Sequence, residues 1–254
     1  MPIVTLTTDF GTADGYVGEM KGIILSQAPG VTIVDITHDI EPQDVDSGRL
    51  LVERCWRRYP PGTVHVVVVD PGVGSCRAAL AVESEGRFLV GPDNGVLSAA
   101  IAVPQASVVA LRVPPDASAT FQGRDVFAPA AAWLATGRGL ATLGSAHASP
   151  VLLRDPDPVP LTNGTIIGEV VHADRFGNAV TNLRASNVPA RGVVEVAGRE
   201  LPLVRTYADV AIGEALALVG SGGRIEIAVR NGHAARVLGL ARGARVIFTP
   251  PHLG

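Results

Sequence analysis

Lysine is nearly missing from this sequence: Lys21 is the only one, and the arginines are scattered rather than clustered. With a formal net charge of −3, no basic face is available for a nucleic-acid backbone. No apolar stretch approaches the roughly 18 to 20 residues that a membrane span needs. The start, Met1-Pro2-Ile3-Val4, lacks the basic n-region and cleavage site of a signal peptide. A soluble cytoplasmic protein is expected, with neither nucleic acid nor membrane as partner. The two cysteines, Cys55 and Cys76, form no metal-ligand spacing and no disulfide framework, and Cys55 falls on an apolar helical face as a small core residue. The six histidines, His38, His65, His147, His172, His233 and His252, make no HxH, HxxxH or HExxH pattern, so no metal is expected. His65 alternates into a strand and reads as a core residue. A Gly-x-Ser-x-Gly elbow and a Gly-Lys-Ser/Thr phosphate loop are both missing. Direct displacement by an activated water fits this inventory better than metal or covalent catalysis.

What remains is apolar and punctuated. Hydrophobic residues make up 47% of 254 and charged residues 18%, enough to bury a sizeable core in one large domain or two ordinary ones. Val4 to Thr7, Val31 to Val34, Val64 to Val69 and Val108 to Leu111 read as buried, β-branched strands. Tyr16 to Ala28 carries Val17, Met20 and Ile24 at helical spacing and stops at Pro29-Gly30. A second helix is expected from Pro42 to about Arg58, with Val45, Leu51, Val52 and Cys55 inward, and a third from Asp125 to about Thr136 with Pro129 in its first turn. This alternation predicts an α/β domain over residues 1–150 with a mostly parallel sheet. Four prolines between Ser149 and Thr165 mark a linker, residues 151–165. From Ile166 the pattern changes to short strands with frequent glycines: 166–172, 193–196, 216–219, 225–229 and 246–249. Residues 166–254 therefore read as a smaller all-β domain of barrel or sandwich type.

Three N-terminal strands are read as ending in aspartate, at Asp9, Asp35 and Asp70, and in open α/β sheets ligands bind beyond the carboxyl ends of the strands. Two readings fit Asp9: its two carboxylate oxygens can take both hydroxyls of a ribose, or it caps the helix that follows. The same choice stands for Asp14; Asp35 is assigned a structural role. The loop Asp70-Pro71-Gly72-Val73-Gly74-Ser75-Cys76-Arg77 joins two apolar runs, so an Asp–Arg pair there either holds and biases a water molecule or closes a salt-bridged turn. Its glycines fail the dinucleotide fingerprint, because Arg77 stands where a glycine is needed. Thr120-Phe121-Gln122-Gly123-Arg124-Asp125 opens the third helix, where free backbone N–H groups can meet a ligand. Asp174-Arg175-Phe176-Gly177-Asn178 offers a carboxylate, an aromatic face and an amide, suited to a purine and an amino group. Each cluster also reads as a turn, and Phe176 as core.

Laid side by side, these segments resemble the S-adenosylmethionine hydroxide adenosyltransferase family, relatives of the fluorinating and chlorinating adenosyl enzymes. The ordered series is Thr8 to Gly11, Asp39 to Asp44, Val69 to Gly74, Gly91-Pro92-Asp93-Asn94-Gly95, Phe121 to Asp125, Asp174 to Asn178, Thr206 to Asp209 and Gly220-Ser221 to Ile227. The resemblance implies a homotrimer, each active site lying between the N-terminal domain of one subunit and the C-terminal domain of the next. It implies that S-adenosylmethionine is the substrate and that no cofactor is needed. Asp9 would hold the ribose hydroxyls, and Asp14, Asp174 and Ser221 the methionine portion. Phe176, Asn178 and Tyr207 would meet the adenine, and Phe121 would join the substrate site. Methionine is already a good leaving group as a sulfonium, so the protein mainly aligns the reactants and dries the site.

Within that family the nucleophile separates the branches: hydroxide-using members carry an Asp–Arg–His triad that halide-using members lack. Asp70 and Arg77 therefore favour water. The third member departs, since the family's Phe-His-Gly-Arg-Asp reads Phe121-Gln122-Gly123-Arg124-Asp125 here. Gln122 orients a water by hydrogen bonding but cannot relay a proton near neutral pH. The expected function is hydrolysis of S-adenosylmethionine to adenosine and methionine, slow and rising with pH, with Asp70, Arg77 and Gln122 as the catalytic set. The alternatives are a binding protein without useful turnover and, against the repulsion of Asp70, a halide transferase.

Overall fold

The computed structural model describes residues 1–251, and the chain divides into two units between Arg154 and Asp155. In the first, β1 (Ile3–Thr8), α1 (Tyr16–Gln27), β2 (Thr32–Thr37), α2 (Val45–Cys55) and β3 (Val64–Val68) alternate. Then come β4 (Ala79–Ser84), β5 (Arg87–Pro92), α3 (Ser98–Ile101), β6 (Ser107–Leu111), α4 (Ala128–Ala135) and β7 (Gly144–Ala146). The strands form one sheet in the order β2-β1-β3-β5-β4-β6-β7. The pairs β1–β2, β1–β3 and β3–β5 are parallel, whereas β5–β4, β4–β6 and β6–β7 are antiparallel. The sheet is therefore mixed, correcting the mostly parallel sheet that the sequence suggests. Its antiparallel half grows from the β4–β5 hairpin, closed by Glu85 and Gly86 at positive φ, which needs no crossover helix.

Period-2 alternation divides β3 between the two faces. Val64, Val66 and Val68 join Val17, Met20 and Ile24 of α1 and the alanines of α4 on one side. Val67 meets Val52, Trp56, Leu80, Leu97 and Ala100 on the other. Met20 and Ile24 are fully buried, each contributing about 1.5–3 kcal/mol by removal from water. The chain leaves β1 toward β2 on one side and reaches β3 on the other, so the strand order reverses at β1. Thr8 pairs with Val68, which brings the ends of β1 and β3, and hence Asp9 and Asp70, to one crevice at the switch point. Asp35 lies inside β2 rather than after it. It meets Lys21 Nζ at 2.6 Å and His38 Nε2 at 3.1 Å, the structural role expected of it. The third helix also starts differently: Gly123–Phe127 forms a π-turn that runs into α4. Cys55 is half-buried.

The second unit contains β8 (Val159–Pro160), β9 (Ile166–Ala173), β10 (Ala179–Arg184), β11 (Val193–Val196), β12 (Arg199–Val204), β13 (Ala215–Val219), β14 (Arg224–Val229), α5 (Ala234–Val237) and β15 (Arg245–Thr249). The order β10-β14-β13-β12-β11-β15-β9 closes on itself through β9–β10 pairing, giving a seven-stranded barrel with β8 outside it. Closure removes the sheet edges, and Val170, Leu183, Val194, Ile225, Ile227, Val246 and Phe248 fill the core. Among the described residues no helix is long and apolar enough to cross a membrane; His252 lies outside them.

Candidate functional site

At the switch-point crevice of the first unit, a cavity of about 250 Å³ is lined by Phe10, Tyr16, Val68, Asp70, Val73, Thr120, Phe121, Gln122 and Gly123. Asp70 is held from behind by Arg77: Nε donates to Oδ1 at 3.0 Å and Nη2 to Oδ2. Both side chains are at least nine-tenths buried, at 10% and 5% exposure, so the pair is bidentate and largely dry. Arg77 also reaches Ala78 O at 3.3 Å. Gly74 has φ +79°, and a Cβ there would stand 2.8 Å from Ala119 O. Glycine thus lets the Asp70 loop lie against the backbone that precedes Phe121. The Gly91 to Gly95 motif supports the same loop, because Asn94 Nδ2 donates to Val69 O at 2.8 Å.

Opposite, Asp125 accepts from Ser118 N at 2.8 Å and from Arg124 Nε at 2.7 Å. The Arg124 guanidinium holds the Asp125 carboxyl below its usual range. That staple fixes the segment carrying Thr120, Phe121 and Gln122. Gln122 Oε1 is buried without a hydrogen-bond partner among the described residues. An orphaned buried acceptor is costly unless a ligand or water completes it. The cavity therefore presents a paired carboxylate among apolar walls, with Gln122 in its lining.

Asp9 and Asp14 sit nearby in sequence but behave differently. Neither caps α1, whose N-cap is Gly15 with no side-chain bond. Asp9 Oδ2 accepts from Gln43 N at 2.8 Å, which pins a loop in which Gln43 has φ +70°; Oδ1 has no partner among the described residues. Asp14 is exposed and its carboxylate has no partner among the described residues. Sequence reasoning treats Tyr16 as the start of a helix and misses that this first residue lines the cavity. Nothing in its spacing marks it.

The second unit carries its own cavity of about 610 Å³, lined by Phe176, Asn178, Tyr207, Val229, Asn231, Gly232, His233 and Arg236. Phe176 is 77% exposed, so it is not a core residue. Asp174 Oδ1 accepts from Phe176 N and Asn178 N, both at 2.9 Å, and Oδ2 from Asn178 Nδ2 at 3.0 Å. This carboxylate shapes the loop that presents Phe176 and Asn178. Asn178 Nδ2 also lies 3.4 Å from Tyr207 Oη. Burial, with the Glu226 and Asp174 charges, pushes the Tyr207 phenol up, so it stays protonated. Gly177, at φ +84°, leaves room for the His233 ring, which a Cβ would strike. Ser221 lies exposed in the turn between β13 and β14. His233 and Arg236 escape sequence reasoning because they are the N-cap and the third residue of a four-residue helix with no motif around it.

The model of the SAM (S-adenosylmethionine) hydroxide adenosyltransferase N-terminal domain matches residues 4–144, and that of the C-terminal domain matches 168–247. A Thermus thermophilus protein named (R)-S-adenosyl-L-methionine hydrolase is 40% identical, covering 96% of this chain and 98% of that one. A fluorinase from an Actinoplanes species is 28% identical over 98% of this chain and 97% of its own. A solved structure of a conserved protein from Thermotoga maritima matches with a TM-score of 0.87 at 34% identity, covering 98% of this chain and 100% of that one. The chain belongs to the SAM hydroxide adenosyltransferase family.

Proposed function

We propose that this protein is an enzyme that hydrolyses S-adenosylmethionine to adenosine and methionine. Water attacks C5′ of the substrate, the C5′–S bond breaks, and its electron pair stays on sulfur as the thioether of methionine. The proton leaves the attacking water for Asp70 or solvent. One observation carries the reading: Asp70, clamped by Arg77, shares a cavity wall with the orphaned Gln122 oxygen. Those two acceptors suit a water's two protons, which a halide does not have. Arg77 holds Asp70 in place, and Gln122 orients the nucleophile.

Asp9 offers the ribose hydroxyls its available oxygen, and Phe121 bounds the reacting carbon. Asp14, Asp174 and Ser221 take the methionine portion. Phe176, Asn178 and Tyr207 take the adenine, Phe176 by its exposed ring and Asn178 by its amide. These groups are split between two units, and the proposed assembly is a homotrimer in which a neighbour's C-terminal unit completes each site. Its setting is the cytoplasm, and no cofactor is required because the sulfonium already activates the leaving group.

The test is incubation of purified protein with S-adenosylmethionine, following adenosine and methionine by chromatography, with and without fluoride or chloride. Equal amounts of both products, unaffected by halide and reduced about 100-fold or more in Asp70→Asn, support hydrolysis. Ligand binding without any product makes the chain a binding protein, and a 5′-halogenated nucleoside makes it a halide transferase.

A further inference from the structure

Phe10, Tyr16 and Phe121 come from three separate segments: the residue pair after β1, the first turn of α1, and the approach to the π-turn. Their centroids lie 6.0 Å apart for Phe10–Tyr16, 5.9 Å for Phe10–Phe121 and 5.1 Å for Tyr16–Phe121. The ring planes are inclined at 64°, 71° and 74° respectively. Rings so arranged form a corner rather than a stack, and all three line the cavity that Asp70 and Gln122 share. They are not a sealed core cluster: Tyr16 is 47% exposed, and its hydroxyl has no partner among the described residues. Gly123 keeps the corner tight, because a Cβ there would approach Phe121 Cε2 to 3.1 Å and Phe10 Cε2 to 3.4 Å.

We propose that this aromatic corner recognises the positive charge on the substrate's sulfur, so that the site selects a sulfonium over a neutral thioether of the same shape. The inference rests on the hydrolase reading. In-line attack places the attacking oxygen about 3–3.5 Å from C5′, with sulfur one bond beyond on the opposite side. A nucleophile held at Asp70 and Gln122 therefore brings the sulfur within reach of the same walls. Asp70 is already neutralised by Arg77, which leaves the negative faces of the rings as the surfaces able to favour a cation there. Phe121 already serves a cation on one side, since the Arg124 guanidinium lies 5.2 Å from its centroid. The corner also releases the product, because methionine leaves as an uncharged thioether.

The experiment uses two ligands that are not consumed. One is S-adenosylhomocysteine, the neutral thioether. The other is the aza analogue of S-adenosylmethionine, in which a protonated N-methyl nitrogen replaces the sulfonium, titrated at pH 6. Calorimetry on the full-length parent is expected to show the cation bound roughly tenfold more tightly than the thioether. Tyr16→Leu should cut that ratio about threefold or more while leaving the thioether Kd within about twofold, and Tyr16→Phe should restore it. A ratio near one in the parent, or parallel weakening of both ligands in Tyr16→Leu, overturns the proposal. If the parent releases adenosine yet shows no preference, only the aromatic corner fails. If it binds neither ligand and forms no product, the hydrolase reading fails and the corner with it.

Discussion

Gln122 donates and accepts hydrogen bonds but holds no proton that moves near neutral pH, while Asp70 spends both oxygens on Arg77. On the proposed hydrolase reading, a water between them is oriented well and deprotonated poorly. Turnover of the parent should climb steadily with pH across the neutral range, following hydroxide. Gln122→His should raise the rate at pH 7.5 by about tenfold or more and introduce a plateau, because an imidazole supplies a base of matched strength. Rate profiles from pH 6 to 9 for both proteins would show this, and identical profiles would remove Gln122 from the proton path. A second residue sets stability instead. His65 is 4% exposed, and one ring nitrogen bonds Thr5 Oγ1 at 2.7 Å. Burial, helped by the Arg87 charge, pushes its pKa down to about 4. The unfolded chain then binds the proton more readily between about 6.5 and 4, so this contribution is complete above pH 6.5 and lost as pH falls toward 4. The loss is at most about 3 kcal/mol. Urea midpoints at pH 7.5 and 4.5 should separate less in His65→Gln than in the parent. At this scale the sequence was informative where chemistry is carried by close neighbours: Asp70 and Arg77 stand seven positions apart on one glycine-bearing loop. Asp174 was less legible, since nothing in its spacing shows that the carboxylate also braces its own loop through the bonds it accepts.

The elements were legible in proportion to how purely apolar they are. The run at β3 and the spacing of Val17, Met20 and Ile24 placed a strand and a helix correctly. The helix–strand alternation then suggested a mostly parallel sheet, and the antiparallel β4–β5 hairpin lay outside that expectation. In the barrel, β10 carries Thr181, Asn182 and Arg184, and β12 carries Pro202, so neither shows clean alternation. Thr181 and Asn182 are buried because they bond Ile225 O and Glu169 N at 2.8 Å, a pairing visible only once the barrel closes. The Asp70 loop shows how a single glycine couples two segments. Gly74→Ala forces a side chain into the left-handed region, at about 1–2 kcal/mol, and pushes Cβ into Ala119 O. The loop and the Phe121 segment must then part, which separates Asp70 from Gln122. A fall in Tm of a few degrees, with kcat reduced more than KM is raised, is the expected outcome. An unchanged kcat would mean that the close approach does not set the cavity.

For the whole molecule, the candidate residues fall in two units that each have their own core. The first unit holds the Asp70–Arg77 pair, Gln122 and the aromatic corner; the second holds Phe176, Asn178 and Tyr207 around a separate cavity. If a site takes its first unit from one subunit and its second from the next, two differently disabled chains can repair each other. Asp70→Asn disables the first unit and Asn178→Ala the second. Mixed at equal amounts and refolded or co-expressed, they place an intact first unit beside an intact second unit in about one quarter of sites, by random choice at a head-to-tail interface. The mixture should recover about that fraction of parent activity, although neither variant alone does. A site built within one chain has no such route, because every chain then carries one defect, and the mixture stays as inactive as its parts. Native mass spectrometry of the same mixture supplies the control. Mixed-composition trimers together with one-quarter recovery place the site between subunits. Mixed trimers without recovery place it inside each chain, and the division of labour between the two units then reflects folding rather than assembly.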